Sequence, residues 1–268
     1  MFLNWNLDPI AISLFGFNIH WYGILFASGF LIGYFFVKKI LEKQNIDSEK
    51  IIDNLLLYMF AGTVIGARLG HCFFYDPQFY LSNPLEIIKI WHGGLASHGG
   101  GIGLVISVLI FCKKYKLNFL PLADLLCIPT AFEGGMIRLG NFCNSEIYGK
   151  ATNLNFGVIF ERLGDSIPRH PVQLYESVSY FAISILLFIL FKKFSQKLSG
   201  LILGLFLSLI FTIRILLESF KPEQASYVAD SNSSFFTVGQ YLSIPFIVVG
   251  ILLVFFAIKN KKYQPIEK

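Results

Sequence analysis

Long apolar runs constrain this chain more than any other feature. A helix needs about 20 mostly apolar residues to cross a bilayer. Runs of that kind lie near 19–37, 54–75, 95–112, 174–191, 198–220 and 238–258. A weaker run at 117–143 is interrupted by Asp124, Glu133 and Arg138, yet FLPLADLLCIPTAF still reads as a buried helix start. The sum is about seven spans. Hydrophobic residues make up 54% of the chain and charged residues 15%, against about 25% charged in a soluble domain. That balance argues against disorder, collagen and nucleic-acid binding. No Lys or Arg precedes the first run, so the first span is expected to be retained rather than cleaved as a signal peptide.

The lysines set an orientation. Lys38, Lys39, Lys43 and Lys50 follow the first span, and Lys113, Lys114 and Lys116 the third. Lys192, Lys193 and Lys197 follow the fifth, and Lys259, Lys261, Lys262 and Lys268 the seventh. These 14 of 22 basic residues fall on one side of a seven-span chain. The positive-inside rule makes that side cytoplasmic, with the N-terminus outside and the C-terminus inside. The net charge of +5 is then a topology signal, not a nucleic-acid one.

All five arginines (Arg68, Arg138, Arg162, Arg169, Arg214) lie outside these clusters. Arg68, Arg138 and Arg214 fall in or at the ends of apolar spans, where a charge needs a partner or a polar cavity. Arginine also grips phosphate bidentately. The loop 144–173, rich in Asn, Gly, Pro and charge, reads as a small extracytoplasmic head inserted in a single membrane domain, 1–268. The four cysteines show no metal or disulfide spacing and read as packing residues. The five histidines are dispersed and no H-E-x-x-H occurs, so no metal site is expected. The fold class is an all-α polytopic membrane protein.

Five polar motifs interrupt this apolar frame. Trp91 to Gly101 places five glycines around His92 and His98. The glycines fit either close approach to a ligand or tight helix packing. An imidazole at a membrane helix start is costly unless used, and His98 reads as a proton acceptor. On a helix, Arg138 and Asn141 share a face, and Asn144 repeats the spacing. Together they would offer a fork of donors suited to a phosphodiester, with Glu146 orienting an Arg or accepting a hydrogen bond. Arg214 and Glu218 are four apart and fit an intrahelical ion pair. Of the remaining two, His20-Trp21-Tyr22 reads by composition as an interfacial aromatic belt, and Arg169 to Glu176 reads equally well as a capped helix start.

These motifs together resemble one family, the bacterial phosphatidylglycerol–prolipoprotein diacylglyceryl transferases. The resemblance rests on HWYG at 20–23, GGLASHGG at 93–100, R-L-G-N-F-x-N-x-E-x-x-G at 138–149, RHPVQLYE at 169–176 and R-x-x-x-E at 214–218. It implies transfer of the diacylglyceryl group of phosphatidylglycerol to the lipobox cysteine in a prolipoprotein signal peptide. It also implies residence in the bacterial cytoplasmic (inner) membrane, with lipid and prolipoprotein as partners and no cofactor. By resemblance, His98, Arg138 and Arg214 are catalytic. Tyr22, Asn141, Asn144, Glu146, Gly149 and Glu218 line the lipid site. The chain departs from the family's usual pattern at Ile137, Ser145, Lys150 and Ile210. A transporter for an anionic lipid would use the same arginines without chemistry, but the sequence holds no inverted repeat of the kind such proteins show.

Overall fold

The computed structural model describes residues 2–14, 16–44, 46, 48–90, 93–164, 166–222, 237–261 and 263–267. Trp91, His92, Lys262 and Lys268 lie outside them. Eight α-helices occur among the described residues: α1 Trp21–Lys43, α2 Ser48–Phe74, α3 Pro77–Ser82, α4 Ser97–Lys114, α5 Phe119–Cys143, α6 Val172–Phe194, α7 Leu201–Glu218 and α8 Val238–Asn260. All except α3 coincide with the apolar runs.

Six of these helices are long and apolar enough to cross a membrane, and α4 is not among them. Its ends explain the difference from the expected seven. Ser97, His98 and three glycines open it, and Lys113 and Lys114 close it. Helix α7 has the same eighteen residues in length and is among the six, so the polar composition of α4 rather than its length sets it apart.

The described residues form two compact units, Met1–Phe36 with Ala123–Gln264 and Val37–Leu122 with Pro265–Lys268. In the first unit, α1 and α5 run antiparallel. Gly33 faces Pro129, Gly29 faces Glu133 and Met136, and Gly140 faces Tyr22. Helices α7 and α8 are also antiparallel, with Gly204 against Gly250 and Glu218 against Gly239. Asp124 explains one break in the weak run. Buried in α5, it accepts the N–H groups of Gly200 at 2.6 Å and Leu203 at 2.8 Å, capping the first turn of α7. The opening N–H groups of a helix have no partner of their own and carry its positive end, so a carboxylate there is well placed.

Strands add what an all-helical reading did not foresee. A three-stranded sheet has the order β1 (Leu3–Trp5), β4 (Val158–Phe160), β5 (Pro168–Arg169), with β1 parallel to β4. The segment 144–173 is thus mostly non-helical and is stitched to the chain's beginning. Trp5 donates its indole N–H to the Phe142 carbonyl at 3.0 Å and packs on the Phe142 ring at 4.3 Å. A separate hairpin pairs β2 (Ile10–Leu14) with β3 (Phe17–His20) and leads directly into α1.

In the second unit, α2 and α4 pack antiparallel through glycine. Gly99 and Gly103 meet the backbone of Gly62, Gly66 and Gly70 with no room for a Cβ. Tight packing is therefore the structural use of these two glycines. Cys72, Cys112 and Cys127 are buried free thiols, and Cys143 is half-buried.

Candidate active site

The last turn of α5 carries Arg138 and Asn141 on one face, as the three-residue spacing requires. Arg138 Nη1 donates to Asn141 Oδ1 at 3.2 Å. Asn141 Nδ2 donates to Glu146 Oε1 at 2.9 Å, and Asn144 Nδ2 to the same oxygen at 3.1 Å. The amide donors expected to face a ligand are thus turned onto Glu146, and Asn141 shows its oxygen to Arg138. The loop beyond the helix is strained. Ser145 and Ile147 have φ of 56° and 55°, a region a β-branched residue rarely enters. Gln173, fully buried, pins this loop by donating to the Glu146 carbonyl at 2.6 Å. Gly149 donates its N–H to the His170 carbonyl at 2.8 Å, and a Cβ there would lie 2.6 Å from that of His170. Its absence of a side chain serves this close backbone approach.

Glu176, on the second turn of α6, is the centre of the charges. Its side chain is 0% exposed. Arg138 Nε stands 2.8 Å from Oε2, and Lys221 Nζ stands 2.8 Å from Oε1. The Arg138 N–H is not aligned on Oε2, so that contact is ionic rather than a hydrogen bond. Lys221 Nζ also lies 3.7 Å from Glu218 Oε2.

The Arg214–Glu218 pair expected from spacing is not formed. Helix α7 stops at Glu218 and the chain turns, with Lys221 N–H donating to the Glu218 carbonyl at 3.0 Å. The turn brings Lys221 back beside Glu218. Arg214, half-buried, makes no hydrogen bond or ion pair among the described residues. It remains in the same neighbourhood as Arg138, since both guanidinium groups act electrostatically on the Tyr180 hydroxyl. Tyr22, in the first turn of α1, lays its ring over Gly140, where a Cβ would lie 2.6 Å from the ring. Tyr22 therefore sits against α5 between Arg138 and Asn141 along the helix.

Glu176 and Lys221 are the site residues the sequence reading missed. Glu176 was only the last letter of a helix start, and Lys221 belonged to no motif. The available signal was a carboxylate inside an apolar helix, which requires a cation from elsewhere.

In the second unit, His98 occupies the first turn of α4. Its ring is exposed and has no partner among the described residues. The segment before it is organised by Arg68, which is 3% exposed. Arg68 donates to the carbonyls of Ile87 at 2.9 Å, Glu86 at 2.5 Å, Lys89 at 3.2 Å and Gly94 at 3.1 Å, and also to that of Gly93. Five carbonyl dipoles thus replace the counterion that a buried guanidinium needs. Gly93 and Gly94 take φ of 82° and 75°, and Gly94 lies against the His71 ring. Left-handed backbone and absent side chains are both required there.

The family profile described as prolipoprotein diacylglyceryl transferase matches residues 9–256. The chain belongs to this family. A phosphatidylglycerol–prolipoprotein diacylglyceryl transferase of Tolumonas auensis is 51% identical over 260 residues, covering 97% of this chain and 99% of the relative. Proteins of the same name from Chloroherpeton thalassium and Bacteroides fragilis are 45% and 42% identical, covering 98% of this chain and 97% and 98% of their own lengths. Six apolar helices and family membership make the chain a multi-pass membrane protein. Every residue of both clusters, from Tyr22 through His98 and Arg138 to Lys221, falls within the part that matches the transferase profile.

Proposed function

We propose that this chain transfers the diacylglyceryl group of phosphatidylglycerol to the thiol of a prolipoprotein's lipobox cysteine, in the signal peptide. The sulfur attacks the glycerol carbon that bears the phosphate. A C–S thioether bond forms, the C–O bond to phosphate breaks, and glycerol 1-phosphate leaves. The thiol proton goes to a base. One observation carries this reading beyond family membership. Arg214 is half-buried and unpaired among the described residues, in a cluster where Arg138 is already oriented by Asn141 and Glu176. A desolvated guanidinium without a counterion is primed for an anion, and charge accumulates on phosphate oxygens as the C–O bond breaks.

In this reading Arg138 and Arg214 hold the phosphate and stabilise the departing one. Tyr22, Asn141, Asn144, Glu146, Gly149 and Glu218 shape and brace the lipid site. His98 is the base for the incoming thiol, and its ring is exposed at the first turn of α4, where a substrate can reach it. The enzyme acts at the outer side of the bacterial cytoplasmic membrane. With α4 taken as a seventh crossing beside the six more apolar helices, lysines in the last turns of α1, α4, α6 and α8 fall on one side and support a cytoplasmic C-terminus and an extracytoplasmic N-terminus, with 144–173 as the extracytoplasmic head.

The test is direct. Purified protein with phosphatidylglycerol and a lipobox peptide should yield a thioether-linked diacylglyceryl peptide by mass spectrometry, with one glycerol phosphate released per peptide. Lipid translocation across vesicles with no covalent product would instead establish a transporter.

A further inference from the structure

The site holds more positive charge than its arginines supply. We propose that Glu176 is a positioning residue that holds Arg138 and Lys221 side by side, and that Lys221 is a third cation directed at the lipid phosphate. This rests on the phosphatidylglycerol reading above.

Arg138 Nε and Lys221 Nζ each stand 2.8 Å from a different oxygen of Glu176, so one carboxylate fixes both cations on its two sides. Glu176 thereby holds the two cations in one place, where an anion could meet both. Neither cation is exhausted. Arg138 gives one N–H group to Asn141 and also faces the Tyr180 hydroxyl and Glu176, and a guanidinium carries five N–H groups. Lys221 carries three N–H donors and among the described residues makes one side-chain hydrogen bond, to Glu176. Glu218, at 3.7 Å, is an ionic neighbour only.

Charge balance points the same way. Arg138 and Lys221 are linked by contacts to Glu176 and Glu218, and Arg214, unpaired among the described residues, acts with Arg138 on Tyr180; these five groups leave one positive charge when all are ionised. Glu146 is exposed and engaged by two neutral amides, so it does not offset that charge. Buried charge without a counterion is unfavourable. A phosphodiester is a monoanion and would restore neutrality. Without Lys221 the cluster would be neutral before lipid arrived, and binding would then leave it negative.

The experiment compares wild type, E176Q, K221A, K221R and the double variant E176Q/K221A, each purified in detergent. Phosphatidylglycerol binding is measured by native mass spectrometry against phosphatidylcholine, and KM and kcat by thioether formation. K221A should weaken phosphatidylglycerol binding and raise KM by about tenfold, with kcat much less affected. K221R should restore both. E176Q should lower kcat and raise KM together, because Arg138 also comes loose. Adding K221A to E176Q should then cost little more.

Wild-type phosphatidylglycerol binding by K221A overturns the proposal. So do fully additive effects, or an E176Q protein that loses only thermal stability. If E176Q does not fold, the K221A and K221R pair decides alone. If wild type binds phosphatidylglycerol but transfers nothing, the reaction fails while the binding comparison still tests Lys221.

Discussion

Asn141 and Glu146 are joined by a 2.9 Å hydrogen bond that runs from the last turn of α5 across to the strained loop behind it. The direction matters. The amide nitrogen is spent on the carboxylate, so the amide oxygen is the part left for Arg138, at 3.2 Å. Replacing Asn141 by Asp would reverse the donor into an acceptor and set two carboxylates against each other. N141D should lose transfer by at least about a hundredfold, from the lost donor and the added repulsion. N141A should lose less. Steady-state rates of thioether formation on both variants check the order, and equal losses would show that the hydrogen bond to Glu146 is not what matters.

Glycine makes a contrasting pair on α4. A Cβ on Gly103 would meet the backbone of Gly62 and Gly66 well inside contact distance, whereas one on Gly101 meets nothing within 4 Å. Backbone cannot swing aside as a side-chain tip can. Gly103→Ala should push α4 off α2 and destabilise the protein by about 1–3 kcal/mol. Gly101→Ala should be neutral or slightly stabilising, since alanine is the better helix former. Thermal unfolding in detergent distinguishes them.

Arg68 should be replaceable by nothing smaller. It joins five carbonyls between Glu86 and Gly94 through the spread of its guanidinium. Lysine keeps the charge but has one nitrogen, so it reaches fewer of them. Arg68→Lys should leave the protein inserted and increase proteolysis within 86–94, read by limited digestion and mass spectrometry. Unchanged cleavage would assign the order of that segment to other contacts.

How much of this was legible in sequence depends on the range of each interaction. The helices were visible because apolar runs are local, and α4 fell short only because its polar ends shorten its apolar length. Strand β1 was not visible. Three residues carry no pattern, and its partner Val158–Phe160 lies about 155 positions away. Spacing misled at Arg214 and Glu218 because a helix places both on one face but says nothing of a lysine three residues past the helix end. Family resemblance marked Arg138 and Arg214, while the carboxylate that holds Arg138 comes from another helix and was read as part of a cap.

Asp124 offers a test of stability separated from chemistry. Both of its oxygens accept backbone N–H groups at the start of α7, and its side chain lies inside α5. No contact joins it to Arg138, Glu176, Arg214 or Lys221. Removing the carboxylate in Asp124→Ala leaves the Gly200 and Leu203 N–H groups buried and unpaired, at about 1–3 kcal/mol. Asp124→Asn keeps an acceptor for one of them and should cost less. Helix α7 also carries Arg214, so a frayed first turn could in principle reach the site. Arg214 lies fourteen residues beyond Gly200, however, almost four turns along. The melting temperature of Asp124→Ala should therefore fall while KM for phosphatidylglycerol stays at the wild-type value below the transition. A rise in KM without a fall in melting temperature would show that the α7 cap tunes the lipid site directly.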